Sequence, residues 1–287
     1  MRLPVGMVEQ SAQNVIQSLR EYARGIAGGL MFSLPLLYTM EVWWAGFWVS
    51  PIRVMICMGC TFILLLGYNN YAGMRPDASW TEVAIDSVEE LGLGLLVSAG
   101  ALLLIGRISW ETSVSTAVAK IVIEAMAVAI GISVGTSQLG MHSQKTEGPQ
   151  KKKSLQDDVR FGGELVLAGC GGVLFAANIA PTEEVVVIAM SSSIRQLFLF
   201  MGLSILLTAL ILYYVEFSGS AKFQDRRLRS VLAGTVASYA VTLVTTAAVL
   251  WFFGRFDQAS LITATAEVIV LAFPTSLGAS AGRLLVQ

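Results

Sequence analysis

Residues 197–215 read LFLFMGLSILLTALILYYV, nineteen positions without one charged side chain. As a helix they rise roughly 28 Å, which matches the ~30 Å hydrocarbon core of a bilayer. Stretches of the same kind recur along the chain. Together they fall at about 25–49, 52–72, 87–106, 113–137, 162–190, 194–216, 229–253 and 259–283. With 55% hydrophobic and 14% charged residues in 287, the chain holds more apolar surface than one soluble core could bury. The expected class is all-α: a polytopic membrane protein of about eight transmembrane helices. Glu89 and Glu90 stand at the start of the third stretch, which leaves only Leu91 to Ile105 cleanly apolar there. Pro35 and Pro181 lie inside the long first and fifth stretches, so a kink or a partly unwound segment is expected in each.

Lys and Arg are segregated. In an eight-helix topology fourteen of them fall on the side of the two termini and four (Arg53, Arg107, Arg195 and Arg255) on the other, with Lys120 inside the bilayer. The positive-inside rule then places both termini in the cytoplasm. Segregation of this kind gives nucleic-acid binding no support; the lipid bilayer is the expected partner. Trp43, Trp44, Trp48 and Trp110 stand near the expected outer ends, as an interfacial aromatic belt requires.

The chain also repeats itself. Gly28-Gly29-Leu30-Met31-Phe32 returns as Gly171-Gly172-Val173-Leu174-Phe175, an offset of 143 residues. At nearly the same offset Ile52-Arg53 returns as Ile194-Arg195, Met58-Gly59 as Met201-Gly202 and Ser87-Val88 as Ser230-Val231. After a drift of four or five residues, Gly106-Arg107 matches Gly254-Arg255, and the run from Ile130 to Gly135 matches Leu277 to Gly282. Duplication of a four-helix unit follows. An even number of helices per unit makes the two repeats parallel, about an axis near the membrane normal. The expected organisation is an amphipathic cytoplasmic segment at 1–24, a first four-helix repeat at 25–137, a basic linker at 138–159 and a second repeat at 160–287. The linker carries Lys145, three lysines at Lys151 to Lys153, and Gly148-Pro149. A solvated, topology-setting loop accounts for it.

Candidate chemistry sits where the repeat is polar. Pro35 is followed by Thr39 and Glu41; Asn178 and Pro181 are followed by Thr182, Glu183 and Glu184. A carboxylate at membrane depth needs water, a cation or a basic partner. Proline-freed carbonyls, Thr hydroxyls and carboxylates together make hard oxygen ligands for an inorganic cation. The alternative is a pair of interfacial acids held by Arg53 and Arg195. In the fourth helices Lys120 aligns with Glu267, which suggests a charge pair across the pseudo-axis, structural or part of a relay. Glu124 aligns with the apolar Leu271 and is the better candidate for a titrating carboxylate.

Other chemistry finds little footing. Cys57 and Cys60 have C-x-x-C spacing but lie in an apolar span, with Phe200 and Leu203 as repeat counterparts; small buried residues are the reading, for Cys170 also. The sole histidine, His142, is in the linker, so no His-based dyad or metal site can be built. P-loops and nucleophile motifs are absent from the sequence. The chain is therefore not expected to be an enzyme, and no cofactor is expected beyond a bound cation.

The run from Arg24-Gly25 to Trp43-Trp44 and the segment Ala177-Asn178-Ile179-Ala180-Pro181-Thr182-Glu183-Glu184 resemble an uncharacterised bacterial family of integral membrane proteins, a domain of unknown function. That resemblance spans nearly the whole chain and implies a bacterial inner-membrane location, without a function. Pro followed closely by Glu in duplicated helices is also similar to the cation/calcium exchangers, although the Pro-to-Glu spacing differs between the halves here. A cation channel or carrier is the function that the motifs suggest, whether the path forms within one chain or in a homo-oligomer. A membrane scaffold or sensor acting through its cytoplasmic loops is the alternative.

Overall fold

The computed structural model describes residues 5–73, 78–141, 161–217 and 224–284. Among them it contains ten α-helices and no strand. In chain order these are α1 (Val5–Leu37), α2 (Met40–Trp48), α3 (Pro51–Ala72), α4 (Trp80–Leu104), α5 (Val114–Met141), α6 (Phe161–Ile179), α7 (Glu183–Ser191), α8 (Ile194–Phe217), α9 (Gln224–Phe252) and α10 (Leu261–Leu284). Seven of them (α3 to α6 and α8 to α10) are long and apolar enough to cross a bilayer. Residues Ser18–Leu37 with α2 make an eighth, bent by 82°. The chain is thus an all-helical, polytopic membrane protein.

Three boundaries differ from the hydropathy reading, each for a local reason. The third helix starts at Trp80 and not near residue 87, because Ser79 and Glu82 form a capping box: Glu82 Oε2 accepts from the Ser79 amide at 2.7 Å, and Ser79 Oγ accepts from the Glu82 amide at 3.4 Å. Glu89 and Glu90 therefore lie inside a helix. Residues 5–37 form one continuous helix, so the amphipathic segment and the first span are not separate elements. The long first and fifth stretches are each broken in two, with α2 and α7 as nine-residue restarts. Most of the linker, with its lysines and His142, lies outside the described residues.

Glycine sets the closest packing. A Cβ on Gly28 would stand 2.6 Å from Gly135 Cα and 2.7 Å from Gly131 O, so α1 and α5 touch backbone to backbone. The corresponding pair in the second half behaves alike: a Cβ on Gly171 would meet Gly278 O at 2.1 Å, and one on Gly282 would meet Leu167 O at 2.2 Å. Helix α5 is the centre of the first half, with 83% of its spanning window buried against 17% for α8. Small residues permit that: Ala125, Ala127, Ala129, Gly131 and Gly135 let its neighbours close in.

The halves share a turn as well as a helix order. Gly106 and Gly254 both adopt left-handed backbone, with φ of 69° and 68°, where L side chains are strained. The following amides, of Arg107 and Arg255, bond back to Leu102 O at 2.8 Å and Leu250 O at 2.9 Å. These are the same six-to-one helix stops. Contact between the halves comes from Tyr71 against Gly163, Val166 against Gly67, and a two-pronged ion pair in which Arg53 Nη1 and Nη2 donate to Asp257 Oδ2 and Oδ1 at 2.8 and 2.7 Å.

Candidate functional site

A helix that stops inside a membrane leaves four carbonyls without amide donors. At the first bend every one finds a partner. Leu34 O accepts from the Tyr38 amide at 3.3 Å, Pro35 O from Thr39 Oγ1 at 2.6 Å, Leu36 O from the Thr39 amide at 3.0 Å and Leu37 O from Trp43 Nε1 at 3.0 Å. The second bend is closed differently. Ile179 O accepts from the Thr182 amide and hydroxyl at 3.0 and 2.8 Å, while Ala180 O and Pro181 O accept from Arg255 Nε and Nη2, the former at 3.2 Å. Arg107, the repeat mate of Arg255, lies over the Trp43 ring at 3.8 Å. Each arginine that follows a left-handed glycine thus braces the bend of its own half.

This accounting gives the duplicated Thr and Glu residues local tasks. Thr39 and Thr182 are the residues from which α2 and α7 restart. Glu41, Glu183 and Glu184 stand in the first turns of those helices, where the dipole favours negative charge. Glu183 and Glu184 are exposed and Glu41 is half-buried. No hydrogen bond or ion pair joins Glu41 to either of them. The carbonyls left where α1 and α6 stop, from Leu34 to Leu37 and from Ile179 to Pro181, are engaged. Arg53 binds Asp257 and not an acid of the bends; its guanidinium holds the Asp257 carboxyl below the usual carboxylate range. Asn178 has another role: its Nδ2 donates across the halves to Phe32 O at 3.1 Å and to Leu174 O at 2.5 Å, while its buried Oδ1 has no partner.

The fourth helices supply the uncompensated charge. Lys120, Glu124, Val128, Gly131 and Gly135 follow helical spacing and share one face of α5. That face meets α1 through Gly28 and Gly29 and meets α2 through Gly46, which lies against the Lys120 side chain. Glu124 therefore faces the junction between α1 and α2, roughly 15 Å along α5 from Val114, near mid-bilayer depth. It is fully buried and neither carboxyl oxygen has a hydrogen-bond partner. Lys120 does not compensate it: its Nζ donates to Arg107 O at 2.9 Å and lies 4.5 Å from the centre of the Phe47 ring. The expected Lys120–Glu267 pair is not formed. The two residues align in sequence, but each meets groups of its own half: Lys120 the Arg107 carbonyl and Glu267 the charge of Arg255. Glu267 is buried beside its own half's bend, with Oε2 unpartnered and Arg255 as the positive charge in reach.

A second polar cluster, not anticipated from the sequence, joins three helices of the first half. Asn69 of α3 donates from Nδ2 to Glu90 Oε2 of α4 at 2.7 Å and to Ser87 Oγ at 3.1 Å, and accepts at Oδ1 from Ser133 Oγ of α5 at 3.0 Å. An Asn in an apolar span and a Ser three residues before a Glu were the signals present.

A family model described as "Putative integral membrane protein (DUF2391)" matches residues 21–286. No curated protein and no solved structure matches the chain.

Proposed function

We propose, from the premise that the chain belongs to this DUF2391 family of integral membrane proteins, that it moves protons or a monovalent cation across the membrane, with Glu124 as the group that takes up the ion. One observation carries this reading: a carboxyl with no exposed surface and no partner for either oxygen, facing a broken helix near mid-bilayer depth. An ionised carboxylate there costs several kcal/mol. A proton or a cation must cancel its charge. Packing alone does not call for an acid, since the aligned residue of the second half is Leu271, buried to the same extent. A single carboxylate on this buried face of α5 suits a singly charged ion, and among the described residues no three His, Cys, Asp or Glu side chains could share a metal.

In this reading the bends and Glu41, Glu183 and Glu184 form the outward mouth. The repeats are parallel, the termini are in the cytoplasm of a bacterial inner membrane, and the protein carries out no covalent chemistry. The test is flux of H⁺, Na⁺ and K⁺ in proteoliposomes. Wild type should conduct one of them, Glu124→Gln should not, and Glu41→Gln should retain most of the flux. Folded wild type that passes none of the three, or Glu124→Gln that transports normally, would overturn the proposal and favour a scaffold working through the cytoplasmic loops.

A further inference from the structure

We propose that Asn69, Ser87, Glu90 and Ser133 form a sodium site, separate from Glu124. Three side chains from α4 and α5 put their oxygens around the Asn69 amide of α3, and three of the four residues are buried: Ser87 at 0%, Ser133 at 1% and Asn69 at 8% exposure. Ser133 stands nine residues beyond Glu124 on α5. That is about 13 Å along the axis and half a turn around it, so Glu124 and the cluster that Ser133 joins lie on opposite faces of α5 and at different depths.

The hydrogen bonds show how the site switches. Ser87 Oγ donates to Val83 O at 2.7 Å, which leaves its lone pairs toward Asn69. The Nδ2 of Asn69, a partial positive charge, lies between Ser87 Oγ and Glu90 Oε2. Positive charge is thus already favoured beside this carboxylate. Rotating the amide by half a turn exchanges its nitrogen and oxygen: Oδ1 then joins Glu90 Oε2 and Ser87 Oγ as a third oxygen ligand, and Nδ2 turns to Ser133 Oγ, which becomes the acceptor. With the site empty, that orientation sets two acceptors against each other; with a cation between them it is the favoured one. A +1 ion leaves one carboxylate neutral, whereas a divalent ion would leave net charge buried in three apolar helices. The hydrogen-bond spacing of the cluster is tight, which favours Na⁺ over the larger K⁺. The second half has no such site, because Leu212 and Ala233 stand at the positions of Asn69 and Glu90.

The site stands whether or not Glu124 conducts. Thermal unfolding in detergent should be compared in NaCl, KCl and choline chloride at equal ionic strength, with ²²Na⁺ binding to the same samples. Wild type and Glu124→Gln should both bind about one Na⁺ per chain, with Tm in Na⁺ raised by about 2–4 °C or more over choline. Asn69→Leu, Glu90→Gln and the milder Ser133→Ala should lose the binding and the Na⁺-dependent rise. Equal Tm in Na⁺ and choline, equal stabilisation by K⁺, or a rise that survives Asn69→Leu and Glu90→Gln would each overturn the assignment. Loss of flux in Glu124→Gln with Na⁺ stabilisation intact separates this site from the transport reading.

Discussion

Adding one methyl group at Gly171 tests whether the α6–α10 contact holds the second half together. The new Cβ would lie 2.1 Å from Gly278 O and 3.0 Å from Gly282 Cα. An ordinary carbon–oxygen contact between packed helices is about 3.3–3.6 Å, so the helices must part by more than about 1 Å. All the obstructing atoms are backbone, and none can rotate away. Overpacking of this kind costs about 1–3 kcal/mol, and the upper end applies because the separation also loosens the Gly282 contact with Leu167 O one turn away. Gly202 is the control: a Cβ there meets nothing within 4 Å, and Gly→Ala in an open helix position gains up to about 1 kcal/mol. Unfolding of the purified protein in detergent, followed by tryptophan fluorescence on heating and by titration with a denaturing detergent, reads both. Gly171→Ala should unfold earlier and Gly202→Ala no earlier than wild type. Gly171→Ala as stable as wild type, or no worse than Gly202→Ala, would refute backbone contact as the constraint.

Arg255→Ala should cost about 1–3 kcal/mol in the same assay, because Ala180 O and Pro181 O lose charged donors at the second bend; Arg255→Lys should recover only part, since one ammonium lacks the fork that reaches both. The Arg53–Asp257 pair gives a pH signature. Its carboxyl is held below the ordinary range by the guanidinium, so the folded form gains stability above the unfolded pKa and loses it as pH falls through about 4 and below. Asp257→Asn should remove that acid dependence from the Tm profile, and an unchanged slope below about pH 4 would show that other carboxylates govern it.

Hydropathy found the seven long apolar helices and the bent α1–α2 pair because bilayer thickness imposes a length on each. It misplaced the third because it measures lipid contact, whereas a helix begins where its amides are capped. Ser79 and Glu82 carried that information in their spacing, and reading them would have put Glu90 in the membrane and in view. Pro35 and Pro181 pointed to both breaks. Only Pro181 lies in one; α1 continues past Pro35 to Leu37, where Thr39 and Trp43 take over the carbonyls. Around the duplicated acids the sequence shows donors and acceptors but not which of them are paired. Thr39, Thr182 and Arg255 pair with carbonyls at the two helix stops. Glu124 was legible for the opposite reason: its neighbours at helical spacing are apolar or small, except Lys120, which bonds elsewhere.

What the halves share and where they part separates scaffold from chemistry. Both keep the glycine contacts, the nine-residue restart and the left-handed glycine followed by arginine, all of which concern how backbones fit. The buried polar residues differ. In the second half Arg283 joins Glu164 and donates to Ser238 Oγ at 2.7 Å and Gly234 O at 3.2 Å, so an acid in that bundle meets a base. In the first half neither Glu124 oxygen has a hydrogen-bond partner, and Glu90 bonds to the neutral Asn69 with the negative Asp86 and Glu89 in electrostatic reach. The second half keeps basic groups near its acids, Arg283 on Glu164 and Arg255 in reach of Glu267, and has the apolar Leu271 where the first has Glu124. The two carboxylates of the first half therefore impose a cost that packing does not require, and binding of a positive ion at each is the process that would relieve it.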